Sequence, residues 1–323
     1  MDKIPVGRTI GQSYSFAFGR YLPLLGIVWL PVLLIGLFGY FILIPFYQSF
    51  PDLIREMALN PHNPRILPPE IYSTVRWIGL LDIVALLIFA MITVGITKEV
   101  LGLRQGPRFV YLSFGAAELR VVGSYFILLA LLYAAMIAVA IVGGLLGALL
   151  YAVASGFVQG DSKSLSGWGV GAIVALAVVV YCAAIYVMVR LSYLNVPVIV
   201  AERRIGILRS WELTKGNFWR VFVISLAIFI PFMVLEFAAL GIAFGPALID
   251  FIGTVHEAPA TAAAKLAMLM TSFLRFLPYM WAVGFLVAPV LYGLLISPAA
   301  FAYRALVPAA PEGGTAPTMK EHA

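Results

Sequence analysis

Charge is scarce in this chain. Only 11% of its 323 residues are Asp, Glu, Lys or Arg, too little polar sequence to coat a soluble protein of this length. Cysteine is scarcer still. Cys182 stands alone, which excludes an intrachain disulfide framework and a paired-cysteine metal or redox motif. Its place within an apolar run predicts a small buried residue. His62, His256 and His322 lie far apart, with no cysteine partner or spaced carboxylate, so no metal-ligand set and no cofactor are expected. A phosphate loop is missing as well, because no glycine-rich run ends in Gly-Lys-Ser or Gly-Lys-Thr. Gly143, Gly144 and Gly147, then Gly156 and Gly160, are instead expected to let helices approach or bend, as are Gly167, Gly169 and Gly171.

What the chain has is grease. Hydrophobic residues make up 63% of it and the mean hydropathy is +1.02. Six apolar runs, at 22–46, 78–97, 121–151, 168–194, 221–249 and 276–301, each reach the roughly 20 residues that a helix needs to cross a hydrocarbon core. Helices are favoured over barrel strands because the apolar residues run continuously instead of alternating with polar ones. The expected fold class is an all-α integral membrane protein with six transmembrane helices. Residues 1–308 form its single membrane domain and 309–323 a short disordered cytoplasmic tail. The first run is long, contains Pro23 and Pro31, and lacks a small-residue cleavage signature, so it reads as a retained helix and not a leader.

Loop charge orients the bundle. With both termini inside, the inner segments hold Lys3, Arg8 and Arg20; Lys98, Arg104, Arg108 and Arg120; Arg190, Arg203, Arg204, Arg209, Lys215 and Arg220; and Arg304 and Lys320. Those are fifteen of the 21 basic residues. Such a bias is the positive-inside pattern of a multi-pass protein of a bacterial inner membrane with cytoplasmic termini. The net charge of +6 can then sit beside anionic headgroups, and no nucleic-acid-reading motif accompanies it. The expected partners are membrane phospholipids, together with a membrane-protein complex or a second copy of the chain; nucleic acid is not among them.

Three polar approaches precede the odd-numbered runs. Residues 10–20, 108–118 and 207–219 each mix aromatic or aliphatic residues with Ser, Arg or Glu, and are predicted to be amphipathic interfacial helices. Two readings of the likeness stay open: three pseudo-repeated hairpin units at 1–100, 101–205 and 206–308, or chance similarity between generic interfacial segments. The outer loop between Phe50 and Arg76 carries Pro51, Pro61, Pro64, Pro68 and Pro69. A short helix is expected over 52–57, with irregular coil beyond it.

The richest local pattern runs from Pro197 to Arg220. Pro197 is expected to end or kink the fourth span by removing a backbone donor. Glu202, Arg203, Arg204 and Arg209 then make a charged inner surface. Lys215, Gly216 and Asn217 supply a helix end and turn, after which Phe218 and Trp219 mark the interface and Arg220 meets phosphate. A lipid-facing elbow and a docking or gating surface both fit. The pattern of Pro197, Glu202, Gly206, Arg209, Ser210 and Leu213 to Arg220 resembles the membrane domain associated with some glycerophosphoryl diester phosphodiesterases. That resemblance extends over most of 8–305 but includes no catalytic domain, so it implies the membrane portion alone and no diesterase activity.

Acids inside the spans are the counterweight. Glu236 lies midway along the fifth run, Asp82 near the start of the second and Asp250 at the end of the fifth. An intramembrane carboxylate is costly unless it binds a proton or meets a polar partner. Arg190 and Asn195 of the fourth run are the expected candidates for packing against Glu236. Three function classes follow, in order: a non-enzymatic accessory or organising protein working with lipids or a membrane complex, a transporter or exporter of a small amphipathic or lipid-like compound, and an intramembrane enzyme. No nucleophile–base pair supports the third.

Orientation is directly testable. Single cysteines placed between residues 55 and 70, in a background without Cys182, should react with an impermeant reagent added outside, while tags on the termini stay protected. Reversed labelling overturns the charge-based topology.

Overall fold

The computed structural model describes residues 3–59, 69–105, 109–157, 162–257 and 262–307. Helix is the regular structure throughout them: α1 (Val6–Gly19), α2 (Tyr21–Leu59), α3 (Pro69–Leu101), α4 (Ala116–Phe157), α5 (Ser162–Ser192), α6 (Asn195–Glu202), α7 (Ile207–Leu213), α8 (Phe218–Glu257) and α9 (Ala262–Leu306). Six segments are long and apolar enough to cross a membrane: Tyr21–Ile42, Arg76–Leu101, Ala116–Leu145, Val178–Glu202, Phe218–Ile242 and Phe276–Leu306. The chain is therefore an all-α, multi-pass membrane protein. Backbone groups in such spans must bond within their own helix, which is why these runs form helices despite eight or more β-branched residues in several of them.

Consecutive long helices pack as pairs, α2 on α3, α4 on α5 and α8 on α9. The last helix is the hub. α9 lies against α1, α2, α3, α6 and α8, and two glycines explain how closely some of these helices approach. A Cβ on Gly293 would stand 2.9 Å from Leu24 and 3.3 Å from Ala17, and one on Gly95 of α3 would meet Ile27 and Tyr111 at 2.8 Å. The core divides among Leu24, Ile27, Ile92 and Ile96; Leu194, Val221, Ile224 and Leu294; and Val94, Val121 and Ile199. By contrast, only 6% of the α4 span is buried, so this helix offers most of its apolar surface to lipid.

Several expectations change. Residues 109–115 form no helix; Gly115 begins the α4 turn and the segment before it is extended coil. Its Tyr111 is buried against Gly95 while Phe109, Leu112 and Phe114 are exposed. Residues 52–57 are no separate helix but the last turns of α2, and helix resumes at Pro69 inside the stretch expected to be coil. A proline near a helix start costs no bond, which reconciles Pro69 with that helix. Cys182 is exposed, not buried, because its flank of α5 faces away from the bundle. Gly143, Gly144, Gly147 and Gly171 have open space where a Cβ would be, so among the described residues they make no close contact. The loop at 60–68, His62 and the tail at 309–323 lie outside the described residues.

Gly206 shows how tightly the elbow after the fourth span is folded. A Cβ there would stand 2.7 Å from Val198 Cβ and 2.8 Å from the Asn195 carbonyl oxygen. Both belong to α6, whose backbone cannot retreat without breaking its contacts with α3 and α9. Gly206→Ala should therefore lower the unfolding free energy in detergent micelles by about 1–3 kcal/mol, the usual cost of overpacking. Gly143→Ala, with its open surroundings, serves as the control that leaves it unchanged.

Candidate functional site

Among the described residues, the basic ends of the spans carry almost all of the polar structure. It begins with an interrupted helix. Pro197 has no N–H to offer the Tyr193 carbonyl, and α5 stops at Ser192 before α6 restarts at Asn195. At the break, the Ser210 hydroxyl enters the backbone ladder: it accepts the Leu194 N–H at 3.1 Å and donates to the Arg190 carbonyl at 2.9 Å. A side chain has taken the place of the helical bond between those two groups, one of the few ways in which a helix bends sharply. Thr214, one turn on, donates to the Ser210 carbonyl at 2.7 Å and lies 3.4 Å from the same Arg190 oxygen.

Arg190 fastens the other side. Its Nη2 donates to the Trp211 carbonyl at 2.8 Å and Nη1 to the Tyr186 hydroxyl at 3.0 Å, while the guanidinium sits 3.7 Å from the Trp211 ring centroid. Cation–π contact and carbonyl bonds thus solvate a charge that is 7% exposed. Asn195 is fully buried and donates to Ser124 of α4 at 2.8 Å. Neither residue meets Glu236, the partner expected for them.

The remaining expected residues of the elbow divide by role. Pro197 is buried, and Arg203 adopts a left-handed backbone with φ 57°, ending α6 by donating its N–H to the Ile199 carbonyl. Glu202 accepts from Arg204 Nε at 2.8 Å and from the Tyr303 hydroxyl of α9 at 3.2 Å, with Arg209 Nε 3.5 Å away. Arg209 also donates to Glu212 at 3.1 Å, and that bond is the main reason its pKa is raised above the ordinary value. Lys215 is exposed and Gly216 supplies the turn with φ 77°. Asn217 and Arg220 form a clamp. The Asn217 carboxamide oxygen accepts the Ile4 N–H at 3.2 Å, and Arg220 donates to the Ile4 carbonyl at 2.8 Å, which seats the Ile4 side chain in the core. Arg220 therefore holds the segment before α1, where a phosphate had been expected. Trp219 is 73% exposed, as an interfacial marker requires.

Asp82 is exposed on α3 and Glu236 half-buried on α8; neither has a hydrogen bond or ion pair with the described residues. The Asp250 side chain lies outside the described ones. The structure does not bring these three acids together with the basic elbow.

A second polar cluster had no counterpart in the sequence reading. Glu118 is 1% exposed, accepts from Lys98 at 3.2 Å and from the Tyr111 hydroxyl at 3.3 Å, and caps α4 by accepting the Gly115 N–H at 2.9 Å. Burial raises the Tyr111 pKa, with Lys98 opposing, so the phenol stays protonated and donates. The signal was present: an acid three residues into a helix, in an otherwise basic approach. Tyr14 gives a similar lesson. Its hydroxyl donates to the Ala227 carbonyl at 2.8 Å, the oxygen left unpaired within α8 because Pro231 has no N–H.

Beside these clusters lies a cavity of about 1140 Å³, where the ends of α1, α3, α6 and α9 converge. Arg20, Glu99 and Arg304 give it charge, Gln12 and Ser15 polarity, and Phe16 and Phe301 an apolar wall. Glu99 is held by Arg20 at 3.2 Å and Arg104 at 3.3 Å, while Arg304 donates to the Val100 carbonyl at 3.3 Å. Phe16 belongs in turn to the core cluster of Leu24, Ile96 and Ala300, against which Phe301 packs. Among the described residues no group of three or more His, Cys, Asp or Glu could hold a metal.

The inserted hydroxyl has a measurable worth. Ser210→Ala leaves the Leu194 N–H buried and unpaired, and should cost about 1–3 kcal/mol of unfolding free energy in detergent. Ser192→Ala removes only an exposed bond to the preceding turn and should change it by less than about 0.5 kcal/mol. Equal effects would show that the insertion carries no special stability.

The chain matches no family model, no curated protein and no solved structure.

Proposed function

We propose that this membrane protein is a non-enzymatic organiser of lipids, or of a membrane complex, at an inner membrane whose cytoplasmic side its basic end faces. One observation carries the reading: among the described residues, the polar machinery is spent on fixing backbone. Ser210, Thr214, Arg190, Asn217, Arg220 and Arg304 all bond main-chain groups at helix ends or breaks, and Asn195, Glu118 and Glu202 join one element to another. Such an arrangement supports a rigid scaffold, whose exposed Trp219, Leu208 and Phe18 suit an interfacial setting. The segments at 10–20 and 207–219 keep their interfacial role in this reading. The three hairpin pairs are compatible with an ancestral repeat, although the extended 109–115 approach differs from the helical ones.

The resemblance to the phosphodiesterase-associated membrane domain belongs to the same proposal. It is supported by the structural use of the pattern's residues, in which Gly206 permits close approach, Ser210 closes the break and Asn217 and Arg220 clamp Ile4.

Transport of an amphipathic compound is favoured by a single feature, the half-buried Glu236, which has no partner among the described residues. Glu236→Gln keeps size and hydrogen bonding but cannot titrate. With proteoliposomes of equal insertion, the organiser reading expects no proton-dependent lipid or amphiphile flux from the native protein. Flux that appears with it and disappears in Glu236→Gln would replace the organiser by a proton-coupled transporter.

A further inference from the structure

The cavity at the basic end has the chemistry of a ligand site, and we infer that it binds the phosphodiester headgroup of an anionic phospholipid, with Arg20 and Arg304 as the phosphate donors. This rests on the organiser reading and gives it a ligand. Three observations carry the inference.

The first is unspent hydrogen-bonding capacity. A guanidinium offers five N–H donors in a planar fork suited to two phosphate oxygens. Arg20 uses Nη1 on Glu99, and Arg304 uses Nη1 on the Val100 carbonyl. Each keeps Nε and Nη2 without a protein partner among the described residues, and both side chains line the same space. The bonds they do make fix the two forks at its mouth, so less ordering is left for a ligand to impose.

The second is amphipathic lining. The same space is lined by Phe16, Leu103, Phe301 and Val307, which water solvates poorly and an acyl or glycerol segment covers well. A soluble anion such as inorganic phosphate would leave that wall bare. The volume, about 1140 Å³, is somewhat above the roughly 300–1,000 Å³ common for small-ligand sites and suits a headgroup with the start of its chains.

The third is place. The cavity lies where the apolar spans α3 and α9 end, beside the exposed Leu22 and Phe18. A headgroup entering there keeps its tails among the lipid-facing side chains of α2, and its phosphate reaches the arginines without crossing the core. The cavity's Phe16 belongs to the packed core that contains Leu24 and Ala300, so the site holds a lipid at one face.

Charge settles the preferred headgroup. Arg20, Arg104 and Arg304 surround the single carboxylate of Glu99, leaving a net positive environment. A zwitterionic lipid brings an ammonium that this environment repels, whereas phosphatidylglycerol brings phosphate and neutral hydroxyls.

The test uses the full chain in detergent micelles, titrated with dihexanoyl phosphatidylglycerol, dihexanoylglycerol and glycerol 3-phosphate, and read by calorimetry or native mass spectrometry. Phosphatidylglycerol should bind about tenfold or more tighter than either of the others, because only it satisfies both the arginines and the apolar wall. Arg304→Gln and Arg20→Gln should each weaken it by about tenfold or more, since each removes a charge-assisted phosphate contact. Ala201→Phe, which places a ring in the cavity and leaves both arginines in the sequence, should abolish binding while thermal unfolding stays unchanged. Equal binding of dihexanoylglycerol would overturn the phosphate contact, and equal binding of glycerol 3-phosphate would turn the site into one for soluble anions. Undiminished binding in Ala201→Phe would place the lipid elsewhere. The organiser reading fails separately, on flux, which none of these binding measurements records.

Discussion

The insertion of the Ser210 hydroxyl between the Leu194 N–H and the Arg190 carbonyl is the constraint on which the basic end depends. Without a replacement bond, the break that Pro197 imposes would leave buried backbone groups unpaired where lipid offers no partner. With it, α7 is tied to the fourth span, and the chain turns through Gly206 and Gly216 into α8. The start of α8 then supplies Asn217 and Arg220, whose grip on Ile4 fixes the approach to α1. A single hydroxyl thus propagates order through three elements distant in sequence. The mechanism is local: each bond satisfies a main-chain group that an interruption had exposed.

Arginine does double service in this design. In a multi-pass protein basic residues bias orientation, but some here also bond carbonyls in the last turns of helices, as Arg304 does at Val100 and Arg190 at Trp211. Cations are favourable there because the last carbonyls of a helix lack N–H partners and carry the negative end of its dipole. Only side chains with donors left over, Arg20 and Arg304 among them, can then address a ligand. The same logic explains why Glu202 and Glu118 sit among the bases. Each is an acid that links elements, the former to α9 through Tyr303 and the latter to the 109–115 segment through Tyr111.

Much of the elbow was legible before any coordinates. Pro197 and Gly216 act as their residue types dictate, because φ restriction and a missing donor are properties of single residues. The 109–115 segment was misjudged for the opposite reason. Its mixture of aromatic, Ser and Arg residues fits a short helix, yet the burial of Tyr111 against Gly95 and Ile27, residues of other elements, selects an extended path. Gly143 and Gly147 were misjudged similarly, since close packing requires an opposite helix and α4 presents most of its surface to lipid. Glu236 was assigned partners that the fold engages elsewhere, Asn195 with Ser124 and Arg190 with Trp211.

Composition and apolar run length by themselves determined that this is a helical membrane protein with six spans, because lipid permits few other answers to a chain so poor in charge. Tertiary structure alone decided which polar groups would meet. The Ser210–Arg190 stitch joins residues twenty apart, but Tyr14 reaches Ala227, Asn217 reaches Ile4 and Arg304 reaches Val100 across most of the chain. No periodicity encodes such distances. They follow from how α9 gathers its neighbours, and the charged cavity follows from where those helices stop.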